Sequence, residues 1–334
     1  MMPHADPALP PWLDPAFFGL RERIVSGNMP HALLINGPSG IGKGRFARTL
    51  SATLLCQAGS AELRPCGHCR SCALMRANSH PDLWLLSPAE DSKVVAIDQV
   101  RDLGTDLSLT SQLGGGKVAI ITPADAMNAA SANALLKTLE EPPQQTYLLL
   151  ISDRPGRLPA TIRSRCQQLR LPAPDRDRAV AWLTDQGRPE AAEVLPLAGG
   201  APFRALQLLD RGASDQHASW MDDWMQSVTG KRSPMTVAAH YSKADLALLF
   251  EWLVSALMVM IRLKLSPESN PGSSRLLARL QSTSKNIDLR DLYQYLDQVY
   301  RSLRLSGTTV NQQMLLEDLL ITGCDLFAAV KPTH

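Results

Sequence analysis

The sequence predicts a parallel α/β sheet built around a phosphate-type loop, followed by an all-helical C-terminal portion. Three observations carry this. Short apolar runs alternate with helical patterns through the first half of the chain. The glycine-rich turn Gly37-Pro38-Ser39-Gly40-Ile41-Gly42-Lys43 follows the first apolar run at once. From about Gly212 onward no convincing strand pattern appears.

Taken in order, Ala32–Asn36 reads as a strand, and Lys43–Cys56 has helical spacing. Leu83–Leu86 and Lys117–Ile121 read as further strands, the latter after the turn Gly114-Gly115-Gly116. Ala129–Glu140 reads as a helix stopped by Pro142 and Pro143, because proline lacks the N–H donor and clashes with the preceding turn. Thr146–Ile151 and Gln167–Leu171 complete the strands. After Pro172 and Pro174 a small helical unit runs from Arg176 to Leu209, broken at Gly199-Gly200. The expected helices beyond it are Ala218–Ser227, Ala244–Leu265, Ser273–Gln281, Leu289–Leu305 and Asn311–Val330, with Ser266–Ser274 as loop.

At 334 residues the chain has room for two or three domains of roughly 150 residues. An apolar fraction of 45% and a charged fraction of 20% are those of a globular protein and exclude disorder over most of its length. Its 34 Lys plus Arg and 32 Asp plus Glu leave a net charge of +2, which excludes a protein that grips nucleic acid by bulk charge. From Asp215 to the end, 12 basic residues meet 12 acidic ones, so this third suits protein contacts better than DNA grip. Met1–Pro15 lacks the pattern of a secretory signal. The uncharged run Trp252–Ile261 falls short of the ~20 residues of a membrane span and reads as a core helix. The expected setting is cytoplasmic, with no membrane partner.

Gly37, Gly40, Gly42 and Lys43 fit the phosphate-binding loop, whose backbone N–H groups and helix N-terminus surround phosphate oxygens while the lysine reaches the outer ones. The next residue should offer a hydroxyl to Mg²⁺, but here it is Gly44. After the Lys117–Ile121 strand an acidic pair should hold the metal and orient water. Thr122-Pro123-Ala124-Asp125 stands there instead. Two separate lesions point one way: ATP or ADP occupancy is an open question, and intrinsic hydrolysis is not expected.

Four of the six cysteines lie between Cys56 and Cys72. In a chain without a disulfide scaffold this suggests metal. Cys56, Cys66, Cys69 and Cys72 suit a closed tetrahedral Zn²⁺ site of structural type. His68 or His80 in place of one thiol, and free reduced thiols, are the alternatives. Cys166 and Cys324 suit small apolar roles.

Asn133-Ala134-Leu135-Leu136-Lys137-Thr138-Leu139-Glu140-Glu141-Pro142-Pro143 resembles the helix end of bacterial clamp-loader ATPases, and Ser164-Arg165-Cys166 resembles their arginine-finger motif. With the degenerate loop, the absent acidic pair and the cysteines, the chain is similar to the delta-prime family of bacterial DNA polymerase III clamp-loader subunits. The resemblance is strong over about residues 25–210. It implies an α/β AAA+ P-loop core with a zinc-binding insert at 56–72 (residues 1–171), a small helical lid (172–211) and an all-helical collar (212–334). It also implies a four-cysteine zinc module in this place.

The function implied is that of a non-hydrolysing stator in a ring with gamma or tau motor subunits and delta. The assembled ring would load the beta sliding clamp on primer-template DNA. Arg165 would act as an arginine finger in the adjacent motor's ATP site, where such a residue supplied in trans contributes ~10³–10⁵ in rate. Arg154, Arg157 and Arg163 read as a solvated or interfacial face. Ser152 and Arg204 fall near the places of two nucleotide sensors. The alternatives are an active gamma- or tau-like ATPase, which Gly44 and Thr122-Pro123 oppose, and a zinc-containing nucleic-acid-binding module, which the charge balance opposes.

Overall fold

The computed structural model describes residues 9–58, 65–89, 92–196, 198–210, 213–265, 275–285, 287–306 and 310–328. The chain divides into two compact units, Met1–Thr184 and Asp185–His334.

The first unit runs α1 (Asp14–Val25), β1 (Ala32–Asn36), α2 (Lys43–Leu55), α3 (Arg70–Arg76), β2 (Leu83–Leu86), α4 (Ile97–Ser108), β3 (Lys117–Ile121), α5 (Ala129–Glu140), β4 (Thr146–Ser152), α6 (Ala160–Arg165), β5 (Gln167–Arg170) and α7 (Arg176–Asp185). The five strands form one sheet in the order β2-β3-β4-β1-β5, and every pairing is parallel. The first strand in sequence therefore sits inside the sheet, flanked by β4 and β5. All its residues are buried, as a strand covered on both faces requires.

Side chains alternate between the two faces. Ala32 and Leu34 of β1, Ala119 and Ile121 of β3, and Leu148 and Leu150 of β4 share one cluster with Val100, Leu103 and Leu107 of α4 and Leu135 and Leu139 of α5. α2 packs against β1, β3 and β4. Phe46 of α2 meets Phe17 of α1 edge-on, with centroids 6.2 Å apart. α5 is capped by Asn128, whose side chain accepts the Ser131 N–H, and it ends at Glu140 ahead of the two prolines.

The strands fall where the apolar runs place them. β5 ends one residue early, at Arg170, yet the Leu171 N–H still bonds the Asn36 carbonyl at 2.8 Å. The sequence reading did not single out α1, α3, α4 and α6. In α4 the buried residues Val100, Leu103 and Leu107 recur at helical spacing, but Gly104 interrupts the stripe where the helix approaches Thr138 of α5.

Among its described residues the second unit holds helices and no strand: α8 (Ala191–Val194), α9 (Pro202–Asp210), α10 (Ala213–Val228), α11 (Pro234–Tyr241), α12 (Leu246–Leu265), α13 (Arg275–Lys285), α14 (Leu289–Leu305) and α15 (Gln312–Ala328). α12 is long and apolar enough to cross a membrane. It is the core helix expected: ten of its residues, from Leu246 to Leu263, are buried, and it packs against α10, α13 and α14. The loop expected at 266–274 lies outside the described residues.

Two polar features are sealed into this bundle. Trp224 Nε1 donates to Tyr295 Oη at 3.2 Å, and that hydroxyl donates to the Leu319 carbonyl at 3.2 Å. Gly323 makes room for the ring, because a Cβ there would stand 2.6 Å from Tyr295 Oη. His217 lies buried edge-on to Trp252, with centroids 4.9 Å apart, and its Nε2 has no protein hydrogen-bond partner.

Burial holds the His217 imidazole neutral and lowers its pKa to about 4. The unfolded chain, near the ordinary 6.5, therefore binds the proton first as pH falls. Stability is full above about pH 6.5 and is lost as pH drops toward 4, by roughly 3 kcal/mol from this residue. Urea denaturation of the intact chain across pH 7 to 4 should show this slope, and His217→Leu should flatten it. An unchanged slope in the variant would show that the imidazole is not held neutral.

Candidate functional site

The loop after β1 takes a shape that only glycine permits easily. Gly37, Gly40 and Gly42 have φ of 154°, 76° and 98°. A Cβ on Gly37 would stand 2.3 Å from the Leu171 carbonyl oxygen. The glycines thus serve the turn itself, whatever the loop binds. Gly42 is the residue preceding α2, and Lys43 opens the helix.

Lys43 is buried and its charge is already met inside the unit. Nζ donates to the Gly37 carbonyl at 2.8 Å and to the Pro38 carbonyl, and it pairs with Asp153 Oδ1 at 2.5 Å. Trp12 Nε1 donates to the Ile41 carbonyl at 2.9 Å, and the indole stands edge-on to Trp182 at 5.3 Å. Nothing in the sequence pattern pointed to Asp153 or Trp12, since both contacts depend on strand ends and a terminal segment meeting in space.

Past β3 the chain enters Thr122-Pro123, joined by a cis peptide, and then a short turn of helix at Ala124–Ala126. Asp125 is bound elsewhere: its Oδ1 accepts from buried Ser152 Oγ at 2.6 Å, at the end of β4. Ser152 in turn accepts the Arg154 N–H at 3.0 Å. The residue at the first sensor place is thus absorbed into the turn after β4. Arg204, at the second, pairs with Glu251 of α12 at 2.7 Å.

Arg165 is the last residue of α6. Its side chain is partly exposed, and Nη2 meets Glu140 Oε1 at 2.6 Å while Nη1 donates to the Thr161 carbonyl at 3.1 Å. Cys166 beside it is buried in the α4–α5 core, and burial pushes its thiol up to about 11, in keeping with a small apolar role. Cys324 donates to the Ser227 carbonyl at 3.1 Å.

The four clustered cysteines come together. Cys56 follows α2, Cys69 caps α3, and the four sulfur atoms lie within 4.8 Å of one another. Three of the separations are 3.8, 3.9 and 3.9 Å. Tetrahedral metal–sulfur bonds of ~2.3 Å put sulfur atoms about 3.8 Å apart, so the set fits a tetrahedral ion. Backbone N–H groups of Cys66, Cys69 and Cys72 point at the sulfurs of Cys56, Cys66 and Cys69 at 3.4–3.5 Å, as suits thiolates. Burial alone would raise the Cys69 thiol, but N–H donors from Cys72 and Gln57 outweigh it and bring it down to about 6. Burial drives Cys72 upward.

The histidines stand outside the cluster. His68 is exposed, with Nδ1 2.8 Å from the Cys66 carbonyl oxygen. His80 is buried and does something else. Ser71 Oγ donates to the Leu55 carbonyl at 2.6 Å, so His80 Nε2 must donate to Ser71 at 2.8 Å, while its Nδ1 accepts the Asp82 N–H at 3.1 Å. Both ring nitrogens are used by one neutral tautomer. This chain of bonds ties the cysteine knuckle to the end of α2 and the entry to β2.

The strand order, the loop after β1 and the helical second unit fit the AAA+ class of phosphate-loop proteins, in a version that lacks the hydroxyl after Lys43 and the acidic pair after β3. Residues 14–175 match the family described as DNA polymerase III, delta subunit, and residues 221–323 match its C-terminal family, DNA polymerase III, delta subunit, C terminal. The chain is 36% identical over 304 residues to DNA polymerase III subunit delta' of Pseudomonas aeruginosa, covering 89% of this chain and 92% of that one. It is 34% identical over 321 residues to DNA polymerase III subunit delta' of Escherichia coli, covering 93% and 94%. It is also 34% identical over 229 residues to DNA polymerase III subunit tau of Escherichia coli, covering 68% of this chain and 34% of that one. The chain belongs to the delta' family of DNA polymerase III subunits.

Gly37→Ala should destabilise the first unit by about 2–3 kcal/mol with no nucleotide present, since it combines a strained φ with a backbone clash. Thermal unfolding of the variant against the parent reads this directly. An unaltered melting temperature would mean that the glycine answers to a bound phosphate and not to the turn.

Proposed function

We propose that the chain is the non-hydrolysing member of a replicative clamp loader, and that it lends Arg165 to the ATP site of a neighbouring motor subunit. The observation that carries this is a division within one domain. The chain's own loop lacks the hydroxyl at Gly44 and the carboxylates at Thr122-Pro123, and its lysine is bound to Asp153. The guanidinium at the end of α6, by contrast, is partly exposed and bonded at two points. A charge with no local phosphate to serve is available to a phosphate on another subunit. Beside a γ-phosphate it would neutralise the negative charge that spreads over the equatorial oxygens during transfer.

In this reading the partners are gamma or tau motor subunits and delta, with the beta clamp and primer-template DNA reached through the assembled ring in a cytoplasmic replisome. Residues 172–211 serve as a lid and 212–334 as the collar. The similarity to a tau subunit over 229 residues supports descent from a common ring subunit. No polymerase or ATPase chemistry is assigned to the chain itself.

Cys56, Cys66, Cys69 and Cys72 would hold Zn²⁺, which supplies four bonds and no catalysis, since all four positions are taken by protein. The ion would join the end of α2 to the start of α3. One zinc per chain is expected on metal analysis. Cys72→Ser should lose most of it and lower the melting temperature of the first unit, as metal binding there is folding energy. A zinc-free parent with the same melting temperature would remove the metal from this reading.

The finger is tested by ATP turnover of the reconstituted loader with clamp and primed DNA. Arg165→Ala should assemble normally and reduce turnover, by up to ~10³ at the site that loses its charge. Normal assembly with unaltered turnover would leave a scaffold whose arginine only resembles the motif.

A further inference from the structure

The contact between Glu140 and Arg165 joins two motifs that the sequence keeps 25 positions apart. Glu140 is the last residue of α5, fixed by the helix stop at Pro142-Pro143. Arg165 is the last residue of α6, and α5 packs against α6. Oε1 of Glu140 takes Nη2 at 2.6 Å, and the Thr161 carbonyl takes Nη1 at 3.1 Å. The guanidinium therefore has two contacts, one from the end of α5 and one within its own helix α6.

We propose that Glu140 is a positioning residue for Arg165, holding the guanidinium in the orientation from which it meets a phosphate. This rests on the reading of Arg165 as the residue supplied in trans. An arginine side chain has large rotamer freedom, and an exposed one spends it in solvent. The two contacts bias that freedom toward one orientation in advance. A guanidinium has five N–H donors. These contacts use one on each Nη, which leaves Nε–H and one N–H on each Nη for an incoming oxyanion. The planar fork therefore keeps enough donors for a bidentate phosphate contact while it is anchored.

Strength decides between a clamp and a latch. The carboxylate is half exposed and the arginine more than a third exposed. Pairs of this kind are worth little, about 1 kcal/mol or less. Such a pair biases an orientation, but it cannot withhold the arginine from a phosphate carrying several charges. Removing it therefore costs orientation and releases nothing.

The experiment is a double-mutant cycle in the reconstituted loader, with Glu140→Ala, Arg165→Ala and the double variant, scored by steady-state ATP turnover with clamp and primed DNA. Glu140→Ala should lower kcat about fivefold with KM for ATP unchanged, since orientation of the transferred charge affects the chemical step and not nucleotide binding. Glu140→Gln keeps an acceptor oxygen and should recover part of the loss. In the Arg165→Ala background the Glu140 substitution should have no further effect, because residues that act through one another are not additive. Assembly of each variant is checked by gel filtration.

If Arg165→Ala itself leaves turnover unchanged, the trans reading fails and this proposal with it. If Arg165→Ala lowers turnover and Glu140→Ala does not, the trans reading stands and the positioning role is wrong. The role is also wrong if Glu140→Ala raises kcat, which marks a latch. It is wrong again if the same fivefold loss persists without Arg165, which marks a structural part in the helix stop.

Discussion

The fixed point of the first unit is the place where β1 leaves the sheet. This strand is buried between β4 and β5, so its register is set on both sides and its exit is set with it. The chain must turn there against the Leu171 carbonyl with no room for a Cβ. α2 then starts at a defined point on the sheet, and Cys56 at its far end is carried to the other three thiols. The loop, the helix and the metal-type cluster are thus consequences of one buried strand end. The packing thus demands the shape of the loop with or without a ligand.

The electrostatics follow the same division. A phosphate loop concentrates positive potential, and a lysine inside it needs an anion. Here Asp153, at the end of β4, supplies one from the chain itself. Arg165 is a different case. Its partner Glu140 is half exposed and the contact lies at the ends of two helices, where little desolvation is at stake. One cation is thus settled within its own domain, and the other is held where a second protein can reach it. That contrast fits a subunit whose chemistry belongs to an interface.

Features written locally were legible in the sequence. β1 and β3 are short apolar runs between turn residues, continuous because these strands are buried on both faces. The three closely spaced cysteines announce a cluster, and Cys56 follows from the helix that carries it. Gly44 and Thr122-Pro123 are legible as departures from a fixed spacing. What the sequence hides is contact across elements. The link of Asp153 to Lys43, of Trp12 to Ile41 and of Glu140 to Arg165 joins residues that only the sheet order brings together. His80 reads as a spare ligand beside four cysteines, and its true use, a neutral tautomer bridging Ser71 and Asp82, emerges only with the hydrogen bonds. α4 was missed because Gly104 interrupts its apolar stripe, although a Cβ there would make only ordinary contact with Thr138.

An arginine that acts on a transferring phosphate must bind the transition state more tightly than the ground state. The most direct test is therefore binding, comparing ADP–aluminium fluoride with ADP on the assembled ring carrying either the parent chain or Arg165→Ala. The trans role requires that the variant lose tight binding of the fluoride complex at one motor site while ADP affinity stays the same at all of them. Equal binding of the fluoride complex by both rings would contradict it.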